Sequence, residues 1–435
     1  MKVLMLGWEF PPFISGGLGT ACYGLTRAMS DLGAEIIFVL PRPVESRFST
    51  HVRLIAPQAG ALPTPTVSYQ IEEFKHVVFK AVDAGLSPYA RPGPEPTRVP
   101  VEQKGQRIVP LPAKTRPTEP PASAASENPY GGDLFAEIAR YAHLVSRIAL
   151  QESFDVIHAH DWMTFPAGQG AAGLTGKPLI VHVHSTEYDR SGEGVNERIV
   201  EIERAGMSSA KRVIAVSYLT QAVCCCRYYV PEEKIDVVYN AINTDALCLD
   251  PKKARITKDE KIVLFLGRIT MQKGPEYFLA AAKKVLKKMD NVKFIMAGAG
   301  DMTRRTIELA AEMGIGHKVL FTGFLRGGDL SRIFQMADLY VMPSVSEPFG
   351  LAPLEALSHD VPVLISRQSG VSEVLTHALK VDFWDIDEMA NKIVAVLRHP
   401  PLHRTLKEHG SFEVQKFNWH DSARNCLDVY QSAMT

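Results

Sequence analysis

The chain has 435 residues, 46% hydrophobic and 22% charged. At roughly 150 residues per domain that is material for two or three globular cores, which excludes a chain disordered throughout. Its 48 Lys and Arg balance 48 Asp and Glu, so a surface built to bind nucleic acid through its phosphates is not expected.

The first apolar run, Val3 to Leu6, follows Lys2 and stops at Gly7-Trp8-Glu9. It is too short for a signal-peptide core, and no small-residue cleavage site follows. No apolar run reaches about 18 residues, so no transmembrane helix is expected. The cysteines, Cys22, Cys224, Cys225, Cys226, Cys248 and Cys426, show no C-x-x-C spacing. Reduced thiols in a cytoplasmic protein are the expectation.

In chain order, Val3 to Leu6 reads as a strand and Gly16-Gly17-Leu18-Gly19 as a turn. A helical pattern opens at Thr20 and closes at Gly33, and Glu35 to Leu40 is a second strand. The alternation then fails. Between Pro88 and Pro121 there are ten prolines in 34 residues, which argues against a packed helix or central strand. This is read as an insertion spanning about residues 60–130. Order resumes with a helix from Gly132 to about Gln151. Strands are expected at 155–158, 179–182, 212–216 and 234–238, and again at 261–266, 293–296, 319–321, 339–342 and 361–365. Helices fill the intervals, so each half is a parallel α/β block. The expected domains are 1–243 and 244–418, with a final amphipathic helix in 419–435 that packs back onto the first.

Three segments carry chemistry. Gly16 to Gly19 follows a strand and opens a helix, where backbone amides favour anions. It is not G-x-G-x-x-G, and Thr303 stands where Gly298-Ala299-Gly300 would need its third glycine, so a nicotinamide site is not expected. Gly267-Arg268-Ile269-Thr270-Met271-Gln272-Lys273-Gly274 starts at the carboxyl end of the second block's first strand. Open α/β sheets bind ligands at that edge, and two cations there suit a departing diphosphate. Ser346-Glu347-Pro348-Phe349-Gly350-Leu351-Ala352-Pro353-Leu354-Glu355 follows another strand. A helix starting near Gly350 would aim the amides of Phe349, Gly350 and Leu351 at an anion.

The pairing of G-R-x-x-x-x-K-G with E-P-F-G-L-x-x-L-E resembles family 4 of the retaining glycosyltransferases. Supporting segments are Val238-Tyr239-Asn240-Ala241-Ile242, Trp8-Glu9-Phe10-Pro11-Pro12 and Asp155-Val156-Ile157-His158-Ala159-His160-Asp161-Trp162. The last two are most similar to glycogen and starch synthase-like members. The resemblance implies a GT-B fold, two Rossmann-like parallel-sheet domains facing each other across a cleft. It also implies hexosyl transfer, with glucose the expected sugar, from a nucleotide-diphosphate donor to an α-glucan. No metal ion or other cofactor is implied. The residues it singles out for catalysis are His184, Arg268, Lys273 and Glu347. Gly17, Gly267, Gly298, Phe349, Gly350, Leu351 and Glu355 would bind donor, and Asp161 would lie on the acceptor side. Classical bacterial glycogen synthases carry K-x-G-G-L, whereas Ile14-Ser15-Gly16-Gly17 has no lysine. Donor phosphates would then rest on Arg268, Lys273 and backbone amides.

His158, His160, His182 and His184 alternate on two strands. A zinc site is the competing reading, but no H-E-x-x-H or cysteine-assisted spacing accompanies them. A structural role is expected for all but His184. Other readings are a nucleotide-sugar epimerase, a sugar-binding protein without catalysis, and a transferase with a small-molecule or lipid acceptor. Peripheral membrane contact would call for a basic amphipathic helix. Residues 193–212 instead mix Arg198, Arg204, Lys211 and Arg212 with Glu193, Glu197, Glu201 and Glu203, the pattern of a solvated helix.

Overall fold

The computed structural model describes residues 1–10, 16–41, 52–55, 66–71, 76–82, 134–242, 260–325 and 327–435. The proline-rich stretch 88–121 and the expected domain boundary near 243–258 lie outside the described residues.

Among the described residues the first half forms one sheet. Its strands are β1 (Lys2–Leu6), β2 (Glu35–Leu40), β3 (Val52–Ile55), β4 (Thr66–Ile71), β5 (Val77–Val82), β6 (Val156–His160), β7 (Leu179–Val183), β8 (Arg212–Ala215) and β9 (Ile235–Val237). Their spatial order is β3-β4-β5-β2-β1-β6-β7-β8-β9. From β5 to β9 all neighbours are parallel, while β3, β4 and β5 pair antiparallel. An insertion beginning near residue 60 is therefore corrected in its first part: 66–71 and 77–82 belong to the sheet.

The second half forms a separate sheet of β10 (Lys261–Leu266), β11 (Val292–Ala297), β12 (Val319–Gly323), β13 (Leu339–Met342), β14 (Val363–Ser366) and β15 (Leu379–Val381). It is wholly parallel, in the order β12-β11-β10-β13-β14-β15. This is the doubly wound order that binds nucleotides at its switch point.

The strands are nearly continuous apolar runs because both faces are covered. Leu4 and Leu6 of β1 point into the core under the helix Leu134–Gln151. Val3 and Met5 point the other way, toward the helices Gly17–Asp31 and Trp419–Met434. β10 divides likewise, Val263 and Phe265 against Ile262 and Leu264. This is the period of two expected of a strand.

The final helix, Trp419–Met434, crosses from the second half to the first. Trp419, Ala423, Cys426 and Tyr430 are buried in the same cluster as Val3 and Met5. Gly24 makes room for it, since a Cβ there would lie 2.2 Å from the Trp419 ring. The halves also clasp directly. Ser217 Oγ donates to the Pro348 carbonyl at 2.6 Å, and Ser346 Oγ to Asp189 Oδ1 at 2.5 Å. Glu373 accepts from the amides of Tyr218 and Leu219 at 3.0 and 2.7 Å.

In the first sheet the strand order reverses between β1 and β6. In the second it reverses between β10 and β13. These two switch points face each other.

Candidate active site between the sheets

A cavity of about 560 Å³ separates the two switch points. All the residues singled out in the sequence line it: Gly17, Asp161 and His184 from the first half, and Gly267, Arg268, Lys273, Gly298, Glu347, Phe349, Gly350, Leu351 and Glu355 from the second. Segments as far apart as Gly17 and Leu351 meet across it, a Cβ on Gly17 lying 4.0 Å from Leu351 Cδ1.

On the second wall, β10 ends at Leu266 and the chain turns through Gly267 and Arg268. Gly298, after β11, has φ +143°, and a Cβ there would sit 1.8 Å from the Gly267 carbonyl oxygen. Only glycine lets the two loops touch. Lys273 closes the short turn Met271–Lys273 ahead of the helix Pro275–Leu286. Its ammonium forms an ion pair with Glu347, whose Oε2 also accepts from Ser344 Oγ at 3.1 Å. Lys273 and Glu347 are expected from the sequence to have separate tasks, whereas the fold pairs them, so the lysine's charge is already matched by a carboxylate.

Gly350, at φ +104°, precedes the helix Leu351–Ser358, which has no side-chain cap. Pro353, its third residue, has no N–H, so the amides offered at this helix start are those of Gly350, Leu351 and Ala352. The expectation for Phe349 is narrowed. Its ring is buried beside Tyr239, centroids 5.9 Å apart, leaving its backbone as the part for a ligand to meet. Glu355, one turn into the helix, has its carboxyl pushed up to about 7 by burial.

On the first wall, Asp161 follows β6 with φ +57°. Its Oδ1 accepts from the amides of His184 and Ser185 at 2.8 and 3.3 Å. Asp161 thus holds the chain where β7 ends. Burial raises its carboxyl to about 7, against the pull of those amides and of Arg190. Arg190 is itself held by Glu187 at 3.2 Å and by Glu203 at 2.7 Å. Glu203 is buried, which corrects the expectation of a wholly solvated helix over 193–212.

The four histidines form a ladder. His158 and His160 lie with centroids 4.2 Å apart, their rings tilted by 33°, and His182 and His184 stack at 4.1 Å. His160 Nδ1 bonds His184 Nε2 at 2.9 Å, and His158 Nε2 bonds His182 Nδ1 at 3.2 Å. Burial holds all four below the usual imidazole range, His158 and His184 to about 3. They are neutral imidazoles at physiological pH.

The sequence reading missed Glu9 as a site residue. It lines the cavity, is buried, and its Oε2 accepts from the Gly19 amide at 3.3 Å. The helix of the glycine loop therefore starts at Gly17 rather than Thr20 and meets the chain's own carboxylate. That corrects the expectation of wholly free amides there. The available signal was position: W-E-F-P-P begins just past β1, at the switch point.

Comparison with known proteins accords with this geometry. Residues 107–246 match the model described as Glycosyltransferase Family 4, and residues 249–411 match that of Glycosyl transferases group 1. The chain is 28% identical over 451 residues to an uncharacterized glycosyltransferase of Methanocaldococcus jannaschii, covering 100% of this chain and 99% of that protein. It is 22% identical over 454 residues to a glycogen synthase of Mycobacterium tuberculosis, covering 100% of this chain and 95% of the other. Among solved structures, it superposes on sucrose-phosphate synthase from Thermosynechococcus elongatus with a TM-score of 0.73 at 19% identity, over 99% of this chain and 98% of that one. With two Rossmann-like domains facing each other and both family models matched in tandem, the chain belongs to the family 4 glycosyltransferases of the GT-B fold.

Proposed function

We propose that this glycosyltransferase moves a glucosyl group from a nucleotide-diphosphate sugar to an α-glucan, with retention and without a metal ion. The observation that carries the reading is the opposition of the two walls. Arg268, Lys273 and the uncapped start of Leu351–Ser358 face His184 and Asp161 across a cavity of about 560 Å³. The donor lies along the second wall. Its anomeric C–O bond to the diphosphate breaks, and Arg268 and Lys273 take up the charge that develops on the leaving oxygen. An acceptor hydroxyl attacks from the same face, and its proton passes to the departing phosphate oxygen. Glu347 and His184 contact the sugar, and Glu355 the ribose. Support for a glucan acceptor comes from the full-length match to a protein named glycogen synthase. A cytoplasmic setting fits a nucleotide-sugar donor and the free thiols among the described residues. No helix among the described residues is long and apolar enough to cross a membrane.

The test is a panel of ADP-, UDP- and GDP-glucose, with and without glycogen, in the presence of a chelator. Label incorporated into polymer as the α-anomer is expected. Donor hydrolysis alone, or transfer only to a small or lipid acceptor, would overturn the glucan reading. Free epimerised sugar would move the assignment to an epimerase. Loss of activity in chelator would remove metal independence.

A further inference from the structure

Glu347 stands between two bonds that cross from one half of the molecule to the other. Before it, Ser346 Oγ donates to Asp189 Oδ1 at 2.5 Å. After it, the Pro348 carbonyl accepts from Ser217 Oγ at 2.6 Å, with Thr220 Oγ1 at 3.3 Å. Asp189, Ser217 and Thr220 are all buried. The rest of this segment is bonded within its own half. The Glu347 amide donates to the Gln368 carbonyl and the Gly370 amide to the Glu347 carbonyl, both at 2.9 Å. The Val371 amide donates to the Phe349 carbonyl at 2.8 Å. The carbonyls of Glu347 and Phe349 thus face their own half, and the carbonyl of Pro348 between them faces the other.

Both anchors are themselves fixed in the first half. Asp189 Oδ2 accepts from the Thr186 amide and the Thr186 hydroxyl, each at 2.7 Å, and so caps the short helix Glu187–Ser191. Thr186 lies two residues past His184, so this anchor belongs to the loop that carries the site histidine. Ser217 is the N-cap of the helix Tyr218–Tyr228, and its Oγ accepts from the Thr220 amide at 3.0 Å. That bond uses a lone pair and leaves the hydroxyl hydrogen for Pro348. The amides of Tyr218 and Leu219 at the same helix start are covered by Glu373 of the second half. Packing leaves the segment little play. A Cβ on Gly370 would lie 2.3 Å from the Pro348 carbonyl oxygen and 2.5 Å from Ser217 Cβ.

We infer that Ser217 and Asp189 are positioning residues for Glu347, holding it by its two chain neighbours, so that the glutamate takes its working place only with the halves closed. Each pin acts one residue from Glu347, and consecutive Cα atoms are about 3.8 Å apart. The bond from Ser346 ends on a carboxylate, which strengthens it. Parting the halves by about 1 Å takes either bond past hydrogen-bond reach. The segment then keeps its bonds to residues 368–371 alone, and the pair of Glu347 with Lys273 loses part of its frame. Closure excludes water from the cleft, so the carboxylate is set in place as the site becomes dry. The effect on turnover rests on the reading above that Glu347 contacts the sugar. The pinning does not, since it is a property of the protein without substrate.

The experiment reads amide hydrogen exchange by mass spectrometry in the full-length protein without substrate. Ser346→Ala and Ser217→Ala should each speed exchange of the Glu347, Gly370 and Val371 amides. Ser346→Thr keeps a hydroxyl and should restore the parent rate. Tyr239→Phe removes another bond between the halves, from its hydroxyl to Glu373 Oε2 at 3.1 Å, and spares both pins. It should leave those amides and kcat as they were. Turnover is read with the donor and acceptor that the panel yields. It should fall about tenfold in each alanine variant and about 100-fold in the double variant, the scale of a misplacement of about 1 Å, with donor KM changing less than kcat. Exchange unchanged in both alanine variants would overturn the inference. So would equal effects in Tyr239→Phe, or faster exchange with full turnover. Because exchange is read without donor or acceptor, failure here is distinct from failure of the glucan reading, which the donor panel judges.

Discussion

At the carboxyl ends of β10 and β13 the chain sets Arg268 and Lys273, half-buried, beside an uncapped helix start. At the carboxyl ends of β1, β6 and β7 it sets neutral imidazoles and the buried carboxylates of Glu9 and Asp161. The scaffold is the same, a parallel sheet at its switch point, yet the chemistry is opposite. A cation with part of its surface in water keeps its charge cheaply and can be handed to an anionic ligand. A group taken fully out of water must be neutral or bonded on every side. The second wall is thus suited to charge that arrives with a substrate, and the first to fixed hydrogen-bond geometry.

The largest effects should come from the charged wall. Arg268→Ala or Lys273→Ala should lower kcat by about 100- to 1,000-fold, the range for removing one preorganised stabiliser of transition-state charge. Circular-dichroism melts should show the fold intact. Full activity in both variants would break the contrast between the walls.

The next effect combines the neutral wall with Glu355 of the charged one and is read by melting at pH 5 and pH 7. The four histidines have folded values below the usual 6.5. As pH falls through 6.5 the unfolded chain takes up protons that the folded one refuses, so stability is lost. Asp161 and Glu355 act in the opposite sense. Their carboxyls are raised from 3.8 and 4.5 to about 7, so their share of stability is greatest below those lower values and is lost as pH rises toward 7. The histidines outnumber them, and a lower melting temperature at pH 5 is expected. Glu355→Gln removes part of the opposing trend and should steepen the acid loss. Greater stability at pH 5 than at pH 7 would show that the ladder is not neutral.

Asp161→Ala removes the acceptor of the His184 and Ser185 amides, for a loss of about 1–3 kcal/mol by denaturant titration, and kcat should fall as His184 shifts. Gly298→Ala should destabilise by a similar amount, about 1–3 kcal/mol, because its Cβ meets the Gly267 carbonyl. The smallest change is expected from Glu9→Gln. It keeps an acceptor for Gly19 but removes a negative charge at a helix start, worth about 0.3–1 kcal/mol.

The second wall was largely legible from sequence. KIVLFL makes a strand that announces itself, and G-R-x-x-x-x-K-G and E-P-F-G-L-x-x-L-E sit on the loops that follow strands, so each is local in the chain. The pairing of Lys273 with Glu347 was not legible, because it joins residues 74 positions apart. The strands β3, β4, β5 and β15 were missed. The three-residue run of β15 carries little periodicity, and β3 to β5 lie in or beside the stretch read as an insertion. On the first wall, alternation put His158 with His160 and His182 with His184. Nothing local pointed to Tyr430, whose hydroxyl hydrogen-bonds His158 Nδ1 from 272 residues beyond, or to Glu9 beneath Gly19.

By itself, then, the sequence determined the two α/β blocks, the loops that carry the cations, and the family, because strand periodicity and strand-end motifs are written within a few residues of one another. The tertiary structure decided which charges meet, which imidazoles lose their water and which amide a carboxylate covers. Those properties depend on burial and on distances between remote segments, and both exist only once each half has folded around its own sheet.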